Sequence, residues 1–129
     1  MIQTFLQRYK EAFGNAAPLP VAFGYSHTPA TEEREIPRCM IGAVRKVCDG
    51  EPLTLTAGNV SCGGGSLYTA FAPMQERIPG FVSETEHYKQ TPGQVREYIR
   101  NLDIRPAEKP CLNFVRMDRL STLDDVEGI

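Results

Sequence analysis

The residues best suited to chemistry in this sequence are Cys62 and the three glycines that follow it, Gly63, Gly64 and Gly65. Glycine has no side chain, so three in succession let backbone N–H groups turn towards a ligand. A thiol at a helix start has its thiolate stabilised by the helix dipole, which makes it a better nucleophile or metal ligand. The sequence therefore predicts a site at this Cys-Gly-Gly-Gly loop, either a thiol or metal centre or an anion cradle that does not use the sulfur.

The same four residues also have a purely structural explanation. A buried cysteine packs as a small apolar side chain, and glycines permit a tight turn from a strand into a helix. Three consecutive glycines nevertheless cost backbone entropy when they are ordered, which favours the close approach of a ligand or of another chain segment. Both explanations stay open at the level of the sequence.

Cys39 has a similar predicted setting. A helix is predicted to begin near Arg38 and to end before Gly50. Its apolar face comprises Met40, Ile41, Val44, Val47 and Cys48. Cys39 lies off this face, in the first turn, where a thiolate is again favoured. If the chain returns Cys62 to this helix start, the two thiols form a redox pair or half of a metal site.

The other candidate ligands are expected to be structural or on the surface. Cys39 and Cys48 are nine residues apart, which places them on opposite sides of a continuous helix, about 13 Å apart, so they cannot share one metal ion. Cys48 belongs to the apolar face, and Cys111 opens a predicted strand. The two histidines, His27 and His87, lie in polar segments and are expected at the surface. The pattern for a metal site is poor, since no C-x-x-C spacing occurs, and the candidate ligands are Cys39 and Cys62.

Motifs of the common enzyme classes are absent from the sequence. There is no G-x-G-x-x-G that opens a helix, no P-loop lysine, no G-x-S-x-G and no H-E-x-x-H. The sequence consequently assigns no cofactor and no reaction, and it leaves open whether the protein is an enzyme. The two partner classes that it predicts are a metal ion and a small anionic ligand.

The elements that must position these residues follow from periodicity and capping. We predict helices over residues 2–13, from near Arg38, from Leu67 to near Pro73 and from Pro92, and strands over 21–25, 53–57 and 111–117. A poorer pattern predicts a further strand over 80–83. The helix at Pro92 has the clearest start, because Thr91 and Gln94 form the two halves of a capping box. The acidic tail, 124–127, is expected to be solvated.

Composition indicates one domain and argues against several classes of partner, and the predicted elements indicate the fold class. A chain of 129 residues with 41% hydrophobic and 23% charged residues suits one globular domain spanning 1–129. We expect an α+β domain with a small mixed or antiparallel sheet and three to four helices. The net charge of −2, without a basic cluster, argues against nucleic acid. No apolar run suits a membrane span or signal peptide, so a reducing cytoplasm is expected. The oligomeric state is not indicated.

A longer stretch of the sequence resembles a known family. The segment RCMIGAVRKVCDGEPLTLTAGNVSCGGGSLYTAF, with LPVAFGY upstream, is similar to the bacterial and archaeal family called domain of unknown function 169, or the ArCR group. The shared positions are Pro20, Val21, Ala22, Cys39, Ala43, Gly50, Cys62 and Gly64. The resemblance covers roughly residues 19–71 and implies a metal, iron–sulfur or thiol site at the cysteines. Members of the family are usually longer, so a fragment or a shortened member is expected.

Overall fold

The computed structural model describes residues 1–36 and 38–129. The elements along the chain are helix α1 (Ile2–Phe13), strand β1 (Val21–Ser26), helix α2 (Met40–Val47), strand β2 (Leu53–Leu55), helix α3 (Gly63–Tyr68), the short helix α4 (Ile78–Gly80) continuing into a π-helix (Phe81–Thr85), helix α5 (Pro92–Asn101), strand β3 (Cys111–Arg116) and a final 3-10 turn (Met117–Arg119). The polar segment Ser26 to Pro37 predicts a loop, and its last residue, Pro37, lies outside the described residues.

The three strands form one antiparallel sheet in the order β1, β3, β2. The last strand lies in the middle, where Leu112 is opposite Tyr25 on one side and opposite Leu55 on the other. Side chains alternate between the two faces of a strand, so these three share one face. The predicted α+β fold with a small antiparallel sheet is confirmed.

Each face of the sheet packs against its own apolar cluster. One cluster joins the sheet to α2 and to Val60, which precedes α3, and its buried members are Ile36, Val47, Leu53, Leu55, Val60 and Leu112. The other cluster joins Ala22 of β1 to Leu6 of α1 and to Met117. A fully buried leucine contributes roughly 1.5–3 kcal/mol. The first and larger cluster is therefore the principal support of the segment that contains Cys39 and Cys62.

Several elements confirm the sequence predictions, and two correct them. Helix α1, strand β1 and the capping box of α5 are as predicted, with Thr91 Oγ1 accepting from the Gln94 N–H at 3.3 Å. Strand β2 is shorter than predicted, because the Asn59 side chain bonds the Thr56 N–H and the Thr54 carbonyl, at 2.8 and 2.9 Å, where the strand ends.

The strand predicted over residues 80–83 is wrong. This segment is helical, and its hydrogen bonds have the wider spacing of a π-helix, for example from the Glu86 N–H to the Phe81 carbonyl at 3.0 Å. Pro79 lies near the helix start, where the absence of an N–H is tolerated. The buried Ser83 hydroxyl donates to the Pro79 carbonyl at 2.9 Å, so the segment is held by local bonds rather than by a sheet.

The chain between 123 and 129 covers the free edge of β1. The N–H groups of Glu127 and Gly128 donate to the Phe23 carbonyl at 2.9 and 3.2 Å, and the Phe23 N–H donates to the Gly128 carbonyl at 2.9 Å. The tail is acidic and its carboxylates are exposed, as predicted, but its main chain is paired with the sheet. We call residues 123–129 the tail segment. It protects an edge that would otherwise be open to pairing with another chain.

Candidate functional site

Cys39 and Cys62 have equivalent backbone positions, each immediately before a helix. Cys39 precedes α2 with φ −81° and ψ 132°, and Cys62 precedes α3 with φ −77° and ψ 137°. Neither side chain caps its helix by a hydrogen bond. The predicted helix-start setting of both thiols is therefore confirmed at the level of the backbone.

The sequence predicted a loop at the three glycines. They form the first turn of α3 instead. Two of them are needed because other atoms come close. A Cβ on Gly63 would lie 2.7 Å from Cδ1 of Ile78, and a Cβ on Gly65 would lie 2.5 Å from the Cys62 sulfur. A Cβ on Gly64 would have no neighbour within 4 Å. Close packing therefore explains Gly63 and Gly65 and leaves Gly64 unexplained.

This arrangement leaves fewer backbone N–H groups accessible to an anion than the sequence predicted. The first N–H groups of an α-helix have no acceptor within the helix, so the amides of α3 begin as free donors. Gly63 and Gly65 are buried against their neighbours, and only Gly64 is partly accessible. The accessible part of the glycine segment is therefore Gly64, which opens onto the groove described below.

A second sulfur close to Gly65, besides that of Cys62, belongs to Met40. A Cβ on Gly65 would lie 3.0 Å from the Met40 sulfur and 2.5 Å from the Cys62 sulfur. Cys62 is half-buried, whereas Cys39 is exposed and lines a hollow of about 300 Å³ together with Arg34 and Lys46. The start of α2 and the start of α3 thus meet through a thioether and a thiol.

Metal ligation in the usual sense is not supported by the rest of the molecule. Among residues 1–36 and 38–129, no group of three or more His, Cys, Asp or Glu side chains could hold a metal ion. The four cysteines are free. Cys111 is buried in the sheet, and His27 and His87 are exposed, so their predicted structural or surface roles are confirmed. Cys48 is half-buried at the end of α2.

An apolar groove beside Gly64 is the largest feature that sequence reasoning missed. It has a volume of about 490 Å³ and lies between α3, the π-helix and α5. We call it the aromatic groove and define it by Gly64, Leu67, Phe81, Lys89, Val95 and Tyr98. Its floor includes the buried Leu67 and Val95, which are 5% and 2% exposed. The apolar face of α5 was predicted, but the groove onto which part of that face opens was not.

Aromatic side chains on the walls of this groove are open to solvent. Phe81, Tyr68, Tyr98 and Tyr88 are 46%, 58%, 48% and 74% exposed. Single exposed apolar residues are ordinary on protein surfaces, but several around one concavity are typical of a ligand site. The π-helix that supplies Phe81 is a further feature that occurs often at functional sites.

Two charged side chains border the aromatic groove. The Lys89 ammonium lies 5.4 Å from the centre of the Tyr98 ring, within the range of a cation–π interaction. Glu86 borders the same space. No ion pair joins these two side chains in the part of the chain that the structure describes. The groove therefore combines an apolar body with one positioned positive charge.

Comparison of the chain with protein-family models, with curated proteins and with solved structures finds no match. The resemblance to the domain of unknown function 169 family stays a prediction. Within the described part of the chain, no helix has both the length and the apolar character to cross a membrane.

Proposed function

We propose that this protein is a non-enzymatic binding module for a small molecule, held in the aromatic groove beside Gly64. The observation that carries this proposal is the groove itself, of about 490 Å³, with four partly exposed aromatic side chains on its walls. Small-molecule sites are mostly apolar concavities of roughly 300–1,000 Å³ with a few polar groups. The volume and the lining both meet this description.

Gly64 connects the groove to the glycine segment that the sequence singled out. Since a Cβ at this position would meet nothing within 4 Å, packing inside the protein does not demand a glycine there. A glycine in a helix costs about 1 kcal/mol relative to alanine. The proposal gives it a purpose, because its bare backbone leaves space and an N–H group for a ligand. Cys62, Gly63 and Gly65 then serve to hold the start of α3 in place.

A fluorescent probe tests this proposal directly. Phenylnaphthylamine is uncharged, and its emission rises when it enters an apolar site. We expect native protein to bind it, and Gly64→Leu to weaken binding at least tenfold because the new side chain fills the groove. Gly42→Leu is the matched control, since Gly42 is also a helical glycine whose Cβ would have no neighbour within 4 Å.

Both leucine variants should keep or gain stability, because leucine favours helix more than glycine does. A folded Gly64→Leu protein that binds the probe as tightly as the control would refute the proposed site. So would the absence of probe binding by native protein.

A thiol or metal centre is the second candidate function. The observation that favours it is the Cys62 thiol beside the Met40 thioether, since soft metals select such sulfur ligands. Metal or iron–sulfur binding, or thiol redox chemistry, would then involve Cys62 and Cys39. Anaerobic purification with metal analysis and absorption spectra of native protein, Cys39→Ser and Cys62→Ser tests it. Three colourless, metal-free proteins, together with a Cys62 thiol that reacts no faster than the similarly half-buried Cys48, would exclude it.

We also propose that the protein is located in the cytoplasm. Free thiols persist in a reducing compartment, and all four cysteines are free. Fractionation of the source cells with an antibody against this chain would test the location, and recovery only outside the cytoplasm would contradict it.

A further inference from the structure

Lys89 is the charged residue that the fold positions at the aromatic groove. It follows the π-helix and precedes α5, and its ammonium lies 5.4 Å from the centre of the Tyr98 ring. In the described residues it has no carboxylate within ion-pair distance. Its charge is therefore held by an aromatic face and is free to pair with a further group.

The acidic residues nearby do not neutralise this position. Glu86 borders the aromatic groove, and Glu97 lines a neighbouring hollow together with Lys89. Both carboxylates are exposed. An exposed charge is well hydrated, so it interacts only weakly with another exposed charge at a distance.

The position of Lys89 favours an anionic over a cationic ligand. The Tyr98 face is already occupied by an ammonium, so a cationic ligand that used this ring would have to displace Lys89. An anionic group could instead pair with Lys89 in place, while the apolar body of the same molecule lay against Leu67 and Val95. A cation available for pairing beside an apolar floor suits an amphiphilic anion.

We infer that the ligand of the aromatic groove is an amphiphilic anion, with an aromatic or acyl body in the groove and one acidic group paired with Lys89. This inference rests on the proposed function. It adds the chemical class of the ligand and names the residue that selects it.

Three probes with one ring system and different charges test the inference. Naphthoate is anionic, methylnaphthalene is neutral, and naphthylmethyl trimethylammonium is cationic. Binding to native protein is followed by NMR titration and compared with Lys89→Gln, Lys89→Arg and, as a control cation away from the groove, Lys46→Gln.

We expect native protein to bind naphthoate about three- to tenfold more tightly than methylnaphthalene, as a charge-assisted contact at a partly exposed site allows. Lys89→Gln should remove that preference, so that naphthoate binds no more tightly than methylnaphthalene. Lys89→Arg should retain the preference, and Lys46→Gln should behave as native protein. Added salt should weaken naphthoate binding alone.

The outcomes separate this inference from the proposal beneath it. Methylnaphthalene binding without a preference for naphthoate, or a preference that survives Lys89→Gln, overturns the inference and leaves the binding module standing. If the cationic probe binds more tightly than naphthoate, the inference is overturned, because Glu86 and the aromatic faces then select a cationic ligand. Failure of native protein to bind any of the three probes overturns both.

Discussion

The sulfurs of Cys62 and Met40 converge on the backbone of Gly65, where a Cβ would lie 2.5 Å from the first and 3.0 Å from the second. Each sulfur comes from the start of a different helix, Met40 from α2 and Cys62 from the residue before α3. The starts of the two helices therefore approach each other at Gly65. An added Cβ would therefore clash at Gly65, whereas at the neighbouring Gly64 it would meet no atom within 4 Å.

The first prediction compares these two adjacent glycines. Gly65→Ala should lower the free energy of unfolding by about 1–3 kcal/mol, because the added methyl overpacks against two sulfurs and Val60. Gly64→Ala should raise it by up to about 1 kcal/mol, because alanine favours helix and meets no neighbour. Urea denaturation followed by circular dichroism measures both. Equal effects of the two substitutions would contradict the packing described here.

Thiol reactivity should rank the cysteines by exposure. Cys39 is exposed, Cys48 and Cys62 are half-buried, and Cys111 is 7% exposed in the central strand. A disulfide reagent requires access to the thiolate, so it should label Cys39 first and Cys111 only on unfolding. Mass spectrometry of the peptides at timed intervals gives the order. Labelling of Cys111 in folded protein before Cys39 would show that the sheet opens more easily than this structure implies.

The boundary between predictable and unpredictable features follows the range of the interactions. The capping box of α5 involves only Thr91 and Gln94, three residues apart, and it was found from the sequence. The early end of β2 depends on Asn59 folding back onto Thr54 and Thr56, which a strand pattern does not encode.

The candidate site shows the same division. The helix-start positions of Cys39 and Cys62 were predicted from local signals, namely the apolar pattern that begins near Arg38 and the three glycines. The aromatic groove was not, because it requires three helical segments from different parts of the chain to leave a space uncovered. The apolar pattern of α5 predicts a buried face, and no sequence period distinguishes a covered face from an open one.

The ion pair between Arg116 and Asp118 predicts a defined pH dependence of stability. Arg116 donates to both carboxylate oxygens of Asp118, at 2.7 and 2.9 Å, and to the Cys48 carbonyl beyond the end of α2, at 3.0 Å. The hydrogen bond from Arg116 holds the pKa of Asp118 below its ordinary value. The contribution is thus present at pH 7 and is lost as the pH falls through the folded-state pKa.

Asp118→Asn should therefore lower the free energy of unfolding at pH 7, by at most about 1 kcal/mol because the pair is partly solvated. The difference from native protein should stay constant down to about pH 4 and shrink below that value, where the unfolded aspartate also binds a proton. Urea denaturation across this pH range is the measurement. A difference that grew on acidification would assign the effect to another carboxylate.

The tail segment provides the last prediction, which concerns Gly24. A Cβ on this residue would collide with the main-chain carbonyl of Asp125. Backbone atoms cannot rotate away from such a collision as the end of a flexible side chain can. Gly24→Ala should therefore displace the tail from β1 and break the backbone bonds at Phe23. Hydrogen exchange should then lose protection at the N–H groups of Phe23 and Gly128, while the pairing between β1 and β3 persists.

Gly42→Ala is the control for this variant, since its new methyl would meet no atom within 4 Å and it lies outside the sheet. The ion pair between Lys109 and Asp125, at 3.7 Å, is too exposed to hold the tail against such a collision. Tail release should also expose the edge of β1 and make association of the variant depend on concentration, which sedimentation would detect. Retained protection at Gly128 in the variant would show that β1 shifts instead, and that the tail is the more rigid of the two segments.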